Sequence, residues 1–336
     1  MPSVFFIGAT GYVGGSVLVK IRERFPDWPI TALVRKEQHV DAVRATGVEV
    51  VQPLASKDQY QVIAEEVYKA ELTINVADCD DVKLCESILG AMKKKVEDGK
   101  PKGVFLHTSG AMLFNDLSAD GNAVDGSYWN DNSEEDMKNI DPDALHGPVD
   151  TRVLKAGEEG YVTNYTLCPA AVVGTGSGPV KVPSIFVKML IQYFTAAKRP
   201  LIAAEGTSRY NYVHIDDLVD LYLRLLEVIV SGEQANDSSY ARYYIGDSTE
   251  IPFKTVAEVY GTELTRLGLL PTAKVESIPR AQVDGRARVF GADMRIRGDR
   301  AHALGWNPRP VDMRETIVED IKVALEAMGL EPKAKA

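Results

Sequence analysis

Residues 3–18, SVFFIGATGYVGGSVL, constrain the fold more than any other stretch of the chain. An apolar run of strand character breaks into Gly8, Gly11 and Gly14 at a spacing of three, and apolar residues then return at helical spacing. The pattern predicts a strand over 3–7, a tight turn and a helix over 12–24. In such a turn the first glycine permits the sharp reversal and the second lets the backbone approach a pyrophosphate. The third lets the helix pack on the strand, with the phosphates against the positive helix N-terminus. Gly8, Thr10, Gly11, Tyr12, Val13 and Gly14 are therefore candidate ligands of a dinucleotide.

The end of the second strand selects among dinucleotides. An acid there would bind a ribose 2′-hydroxyl, whereas this chain has Val34-Arg35-Lys36, and an arginine accommodates a 2′-phosphate. NADP(H) is the expected cofactor, held on that side by Arg35 and Lys36.

Up to about residue 168 short β-branched or aromatic runs alternate with helical segments. Strands are expected at 3–7, 30–34, 48–52, 72–76, 103–107 and 165–168, with helices at 12–24, 37–46, 57–69, 81–97 and 148–160. This alternation predicts an α/β fold, a doubly wound parallel sheet of Rossmann type covered by helices on both faces. The expected division is a cofactor-binding domain over 1–174, completed by 208–247, and a smaller, mainly helical substrate lobe over 175–207 and 248–330. YNYVHIDDLVDLYLRLLE (210–227) reads as a strand end of the first sheet followed by an amphipathic helix, and the helices of the second lobe fall at 183–197, 252–268 and 312–328. Residues 331–336 form a frayed tail. The stretch 115–148 carries nine acids and one lysine among many turn formers. It reads as a surface excursion or a lid over substrate, with Tyr128 and Trp129 as its large aromatics.

Charge excludes some partners. With 38 basic and 48 acidic residues the net charge is −10, which repels nucleic acid and anionic membranes. No apolar run approaches a membrane span, so a soluble, cytoplasmic protein is expected. Cys79, Cys85 and Cys168 cannot all pair and read as reduced packing residues; no metal site is expected.

GATGYVG (8–14), GVFLHTSG (103–110), LKAGEE (154–159), LCPAAVVGTGSGP (167–179) and VHIDDLVDLY (213–222) stand in one order. That order resembles the extended and atypical short-chain dehydrogenase/reductases, including NmrA-like proteins and nucleoside-sugar epimerases. The resemblance implies a Ser after the fifth strand, matched by Ser109, and a Tyr-x-x-x-Lys pair. Lys155 matches the lysine, while Thr151 stands where the tyrosine is expected. A threonine hydroxyl lacks the depressible pKa of a phenol, so the usual proton relay should be absent. The resemblance further implies that Pro169, Ala170 and Ala171 contact the nicotinamide side and that Asn75, Ala77 and Asp78 lie on the adenine-ribose side. Lys155 is implied to hold the nicotinamide ribose. Ser109, Met112, Tyr128 and Trp129 are candidate substrate contacts, and the resemblance implies pairing of two copies through helices like 81–97 and 148–160. GTGSGP (174–179) reads as a flexible entrance to the substrate lobe, and His107 and His146 read as structural histidines.

The expected function is NADPH-dependent reduction of a C=O, C=N or activated C=C bond in a small, mostly apolar metabolite. Two other uses of the same elements stand beside it. One is an NmrA-like sensor that reports the NADP state to a protein partner, and the other is an epimerase- or dehydratase-like or non-redox reaction.

Overall fold

In the first strand alternate side chains serve opposite faces. Val4 and Phe6 lie in one apolar cluster, and Phe5 and Ile7 lie in another. A strand buried on both faces belongs in the middle of a covered sheet. In the computed structural model, which describes residues 1–53, 58–232, 238–279, 282 and 285–332, this strand is the fifth of seven in one sheet.

The sheet consists of β1 (Val4–Ile7), β2 (Ile30–Leu33), β3 (Glu49–Val51), β4 (Leu72–Asn75), β5 (Gly103–Thr108), β6 (Val162–Pro169) and β7 (Tyr243–Gly246). Its order is β7-β6-β5-β4-β1-β2-β3, and every pairing is parallel. The order reverses between β1 and β4, where a doubly wound sheet opens a crevice at the carboxyl ends of its strands. The helices Tyr12–Arg24 and Ile215–Ser231 cover one face, placing Val17, Leu18, Ile21, Leu218 and Leu221 in the first cluster. Gln59–Lys69, Val82–Glu97 and Gly147–Glu158 cover the other with Val62, Ile88, Val149 and Val153. Asp58 and Asp81 start two of these helices by accepting bonds from the backbone N–H groups of Tyr60 and Leu84.

The strand and helix near 210–227 differ from expectation in one respect. Arg209–His214 does not enter the main sheet; it sits between Ala171–Val173 and Thr249–Pro252 in a separate three-stranded sheet. The seventh strand of the main sheet is instead Tyr243–Gly246, paired with β6. Both runs are aromatic-rich and short, and nothing local in either decides which sheet it joins. The helices Ile185–Ala197, Phe253–Arg266 and Met313–Met328 build the remaining lobe. Of the tail, 333–336 lie outside the described residues.

The acidic stretch is not a free excursion. Asn115–Asp116 pairs with Asp293–Met294, Trp129–Asn130 pairs with Ile296–Arg297, and Met137 and Ile140 are buried. Asp131, fully buried, accepts from the backbone N–H groups of Ile245 and Arg300, both at 2.8 Å. Asp131 thus satisfies backbone donors of the two segments it joins.

Candidate active site

Gly8 has φ of +104°, and a Cβ built on it would stand 2.5 Å from the carbonyl oxygen of Val76. A Cβ on Gly14 would stand 2.2 Å from the carbonyl oxygen of Gly8. Both contacts are with backbone, so no side chain fits at either position. The Gly11 N–H donates to that Gly8 oxygen at 2.9 Å, and Gly11 caps the Tyr12–Arg24 helix with no side-chain bond and no acid in the first turn. The turn therefore presents N–H groups of the first helical turn and the positive end of a helix, a surface of the kind that binds anions.

The second glycine cluster closes against this helix. Ser177 N–H donates to Ser16 Oγ at 3.0 Å, and Tyr12 OH donates to the Gly174 carbonyl at 2.6 Å. A Cβ on Gly178 would stand 2.9 Å from the Gly15 backbone. GTGSGP is thus a close backbone packing rather than the flexible entrance expected of it, and close approach is what its glycines permit.

A cleft of about 1000 Å³ runs from this turn into the second lobe. Tyr12, Val13, Ala77, Pro169, Ala170 and Ala171 line it near the turn, Ser109 and Met112 line its middle, and Ile185, Phe186, Met189, Phe290 and Met294 line its far part. A separate hollow of about 690 Å³ lies beside Lys102, Val104 and Thr163, at the opposite ends of the strands from the glycine turn. Arg35 and Lys36 stand exposed just beyond β2. Asn75 is buried and its side-chain oxygen accepts from Ala77 N–H at 3.1 Å, while exposed Asp78 accepts from Asp80 N–H at 2.9 Å.

Other expected site residues stand elsewhere. Thr151 donates to the Gly147 carbonyl in its own helix at 2.7 Å. The Lys155 side chain is 78% exposed, with Nζ 3.9 Å from Glu159. Neither is among the described residues that line the cleft. Helix phase explains this: Val149, Asp150, Val153, Leu154 and Gly157 form the buried stripe, and Thr151 and Lys155 lie one step round from it. Tyr128 is also outside the cleft, held by Glu250 at 3.1 Å and by the guanidinium groups of Arg295 and Arg297 over its ring. Trp129 packs on Phe114 with ring centroids 5.2 Å apart.

The residues that do converge are partly ones that the sequence motifs did not single out. Ser109 is buried, and its hydroxyl donates to Asp150 Oδ2 at 2.7 Å. Tyr243 OH donates to the same oxygen at 2.7 Å, and His107 Nε2 lies 3.2 Å from Asp150 Oδ1. A carboxyl group on the apolar face of a helix is the signal in PVDTRVLKAGEE that marks Asp150. Beside this network His146 lines the cleft, its Nδ1 2.9 Å from Asp80 Oδ1 and 3.2 Å from Cys79 Sγ. Burial, and after it the charge of Asp80, pushes the Cys79 thiol up to about 12, so it remains a thiol at neutral pH. Cys85 and Cys168 are buried, and burial raises both thiols as well.

This fold is the Rossmann-like α/β fold that extended short-chain dehydrogenase/reductases share. Residues 149–245 match the NAD dependent epimerase/dehydratase family, and the resemblance read from the motifs is borne out at that level. Oxidase ucsJ of Acremonium sp is 22% identical over 352 residues, covering 97% of this chain and 99% of that protein. A dTDP-glucose 4,6-dehydratase from Bacillus anthracis, solved in complex with NAD, superposes with a TM-score of 0.63 at 11% identity, covering 97% of both chains. Vestitone reductase from alfalfa (Medicago sativa) superposes with a TM-score of 0.58 at 13% identity, covering 98% of this chain and 99% of its own. At such identities the two solved structures establish the fold. Among the described residues no helix is long and apolar enough to cross a membrane.

Proposed function

We propose that the protein is an NADPH-dependent reductase of a C=O, C=N or activated C=C bond in a small, mostly apolar metabolite. The observation that carries this reading is the continuity of one cleft from the glycine turn, past Ser109, into a chamber of Phe186, Met189, Phe290 and Met294. The name of the Acremonium relative, an oxidase, agrees with redox chemistry, and the fold is shared with an NAD complex and with a reductase.

When bound, the cofactor supplies hydride from its nicotinamide ring. Gly8, Gly11 and Gly14 would hold its pyrophosphate, Arg35 and Lys36 a 2′-phosphate, and Pro169, Ala170 and Ala171 would wall the nicotinamide end. The chamber excludes water and orients an apolar substrate by shape. Ser109 differs from the serine expected of the resemblance, because its hydroxyl proton is committed to Asp150. It presents lone pairs to the cleft and positions substrate by accepting rather than donating.

The test is turnover. Purified protein with NADPH and a panel of cyclic ketones, cyclic imines and enones should lose dihydronicotinamide absorbance with at least one class. Tight NADPH binding with no oxidation by any class would overturn the reductase reading. If capture of a protein partner then depended on the cofactor's oxidation state, the sensor reading would replace it.

A further inference from the structure

Resting on that reductase reading, we propose that His146 is the proton donor of the site, delivering the proton from Nε2 to the substrate atom that becomes basic as hydride arrives. The other candidates are engaged elsewhere: Ser109 donates to Asp150, Thr151 donates to the Gly147 carbonyl, Lys155 is exposed beside Glu159 and Tyr128 is held by Glu250. His146 is buried, lines the cleft next to Ser109 and Gly110, and starts the Gly147–Glu158 helix.

Its surroundings fix the ring. A carboxylate can only accept, so the 2.9 Å contact to Asp80 Oδ1 places the proton on Nδ1. The same Asp80 oxygen accepts the His146 backbone N–H at 3.2 Å, and Cys79 Sγ lies 3.2 Å from Nδ1. Nε2 makes no hydrogen bond among the described residues. A Cβ on Gly110 would stand 2.9 Å from Nε2, so glycine at this position gives the ring its place beside Ser109. The backbone of His146 has φ of +72°, a left-handed conformation that residues other than glycine and asparagine adopt only under strain. Strain of this kind, held by Asp80, fits a side chain kept in one orientation for use.

An imidazole carries a proton across neutral pH, which a threonine hydroxyl does not. For a ketone, hydride from the dihydronicotinamide forms the new C–H bond. The C=O π pair moves to oxygen, and oxygen takes the proton from imidazolium Nε2. The nicotinamide is oxidised, the carbonyl is reduced, and the neutral imidazole is reprotonated from water. The charged and titratable groups about the ring are Asp80, Asp78 and Cys79 on the segment after β4, and Asp150, with His107 behind it, one helical turn on.

The experiment compares wild type with His146→Asn, which tolerates the left-handed backbone, and with Gly110→Ala, which crowds Nε2. Two probes are used with NADPH: cyclohexanone, whose reduction needs a proton, and N-methyl-3,4-dihydroisoquinolinium, whose reduction needs none. Both variants should lose roughly 100-fold or more in kcat on the ketone. On the iminium, kcat should stay within about threefold, with the NADPH Kd unchanged. Equal losses on both probes, or full activity on the ketone, would overturn the proposal. If wild type reduces neither probe, the reductase reading is judged by the wider panel of cyclic ketones, cyclic imines and enones, and ¹⁵N NMR of the NADP⁺ complex decides on His146. A neutral form with the proton on Nδ1 and Nε2 unprotonated supports the assignment, and a fixed Nε2–H tautomer refutes it.

Discussion

Asp150 accepts the Ser109 hydroxyl at 2.7 Å with a carboxyl group that has no solvent exposure. The Tyr243 hydroxyl shares that oxygen, and His107 approaches the other at 3.2 Å. Removing the Asp150 carboxyl leaves three buried polar groups without their acceptor at once, so Asp150→Ala should lower the unfolding free energy by about 3 kcal/mol. Tyr243→Phe removes one bond and should cost about 1 kcal/mol. Urea titration should show lowered midpoints at unchanged slope.

Arg35 stands exposed directly after β2 with no acid at the strand end. Arg35→Asp should reverse the ratio of NADPH to NADH dissociation constants, by at least about tenfold in favour of NADH. An unchanged ratio would show that Arg35 does not read the 2′-phosphate.

Burial pushes Asp131 up to about 7 and Asp247 up to about 6, against the backbone bonds that lower both. An unfolded aspartate titrates near pH 4, so between about pH 4 and about pH 7 the folded chain holds protons that the unfolded chain releases. Stability attributable to these groups is therefore present below that window and falls as pH rises through it. Urea midpoints at about pH 5 and about pH 7 should differ more in wild type than in Asp131→Asn, although the variant is less stable at both.

Gly90 lies inside the Val82–Glu97 helix, and a Cβ there meets nothing within 4 Å. Gly90→Ala should raise the unfolding free energy by roughly 0.5–1 kcal/mol, read as a higher urea midpoint, because it removes backbone entropy from the unfolded chain without a clash.

The inner strands of the main sheet were legible because they are buried on both faces, which leaves short apolar and β-branched runs such as VFFI and ITAL; the edge strand Glu49–Val51 is only half-buried. The glycine turn was legible because Gly8 and Gly14 leave no room for any side chain. In the Gly147–Glu158 helix the apolar stripe of Val149, Val153 and Leu154 carries Asp150 inward and leaves Thr151 and Lys155 outside the cleft, a phase that the Tyr-x-x-x-Lys spacing does not encode. His146 was hidden for a different reason. Its left-handed backbone and its contacts with Cys79 and Asp80, 67 and 66 residues away, are products of tertiary packing with no local signature.

The most direct test is calorimetric titration of NADPH into wild type and into Gly14→Ala, whose added methyl would meet the Gly8 carbonyl at 2.2 Å. If the glycine turn holds the pyrophosphate, wild type should bind one NADPH per chain, and the variant should bind at least about tenfold more weakly while remaining folded by circular dichroism. Equal affinities in the two folded proteins, or no saturable binding by wild type, would contradict the assignment of this site to NADP(H).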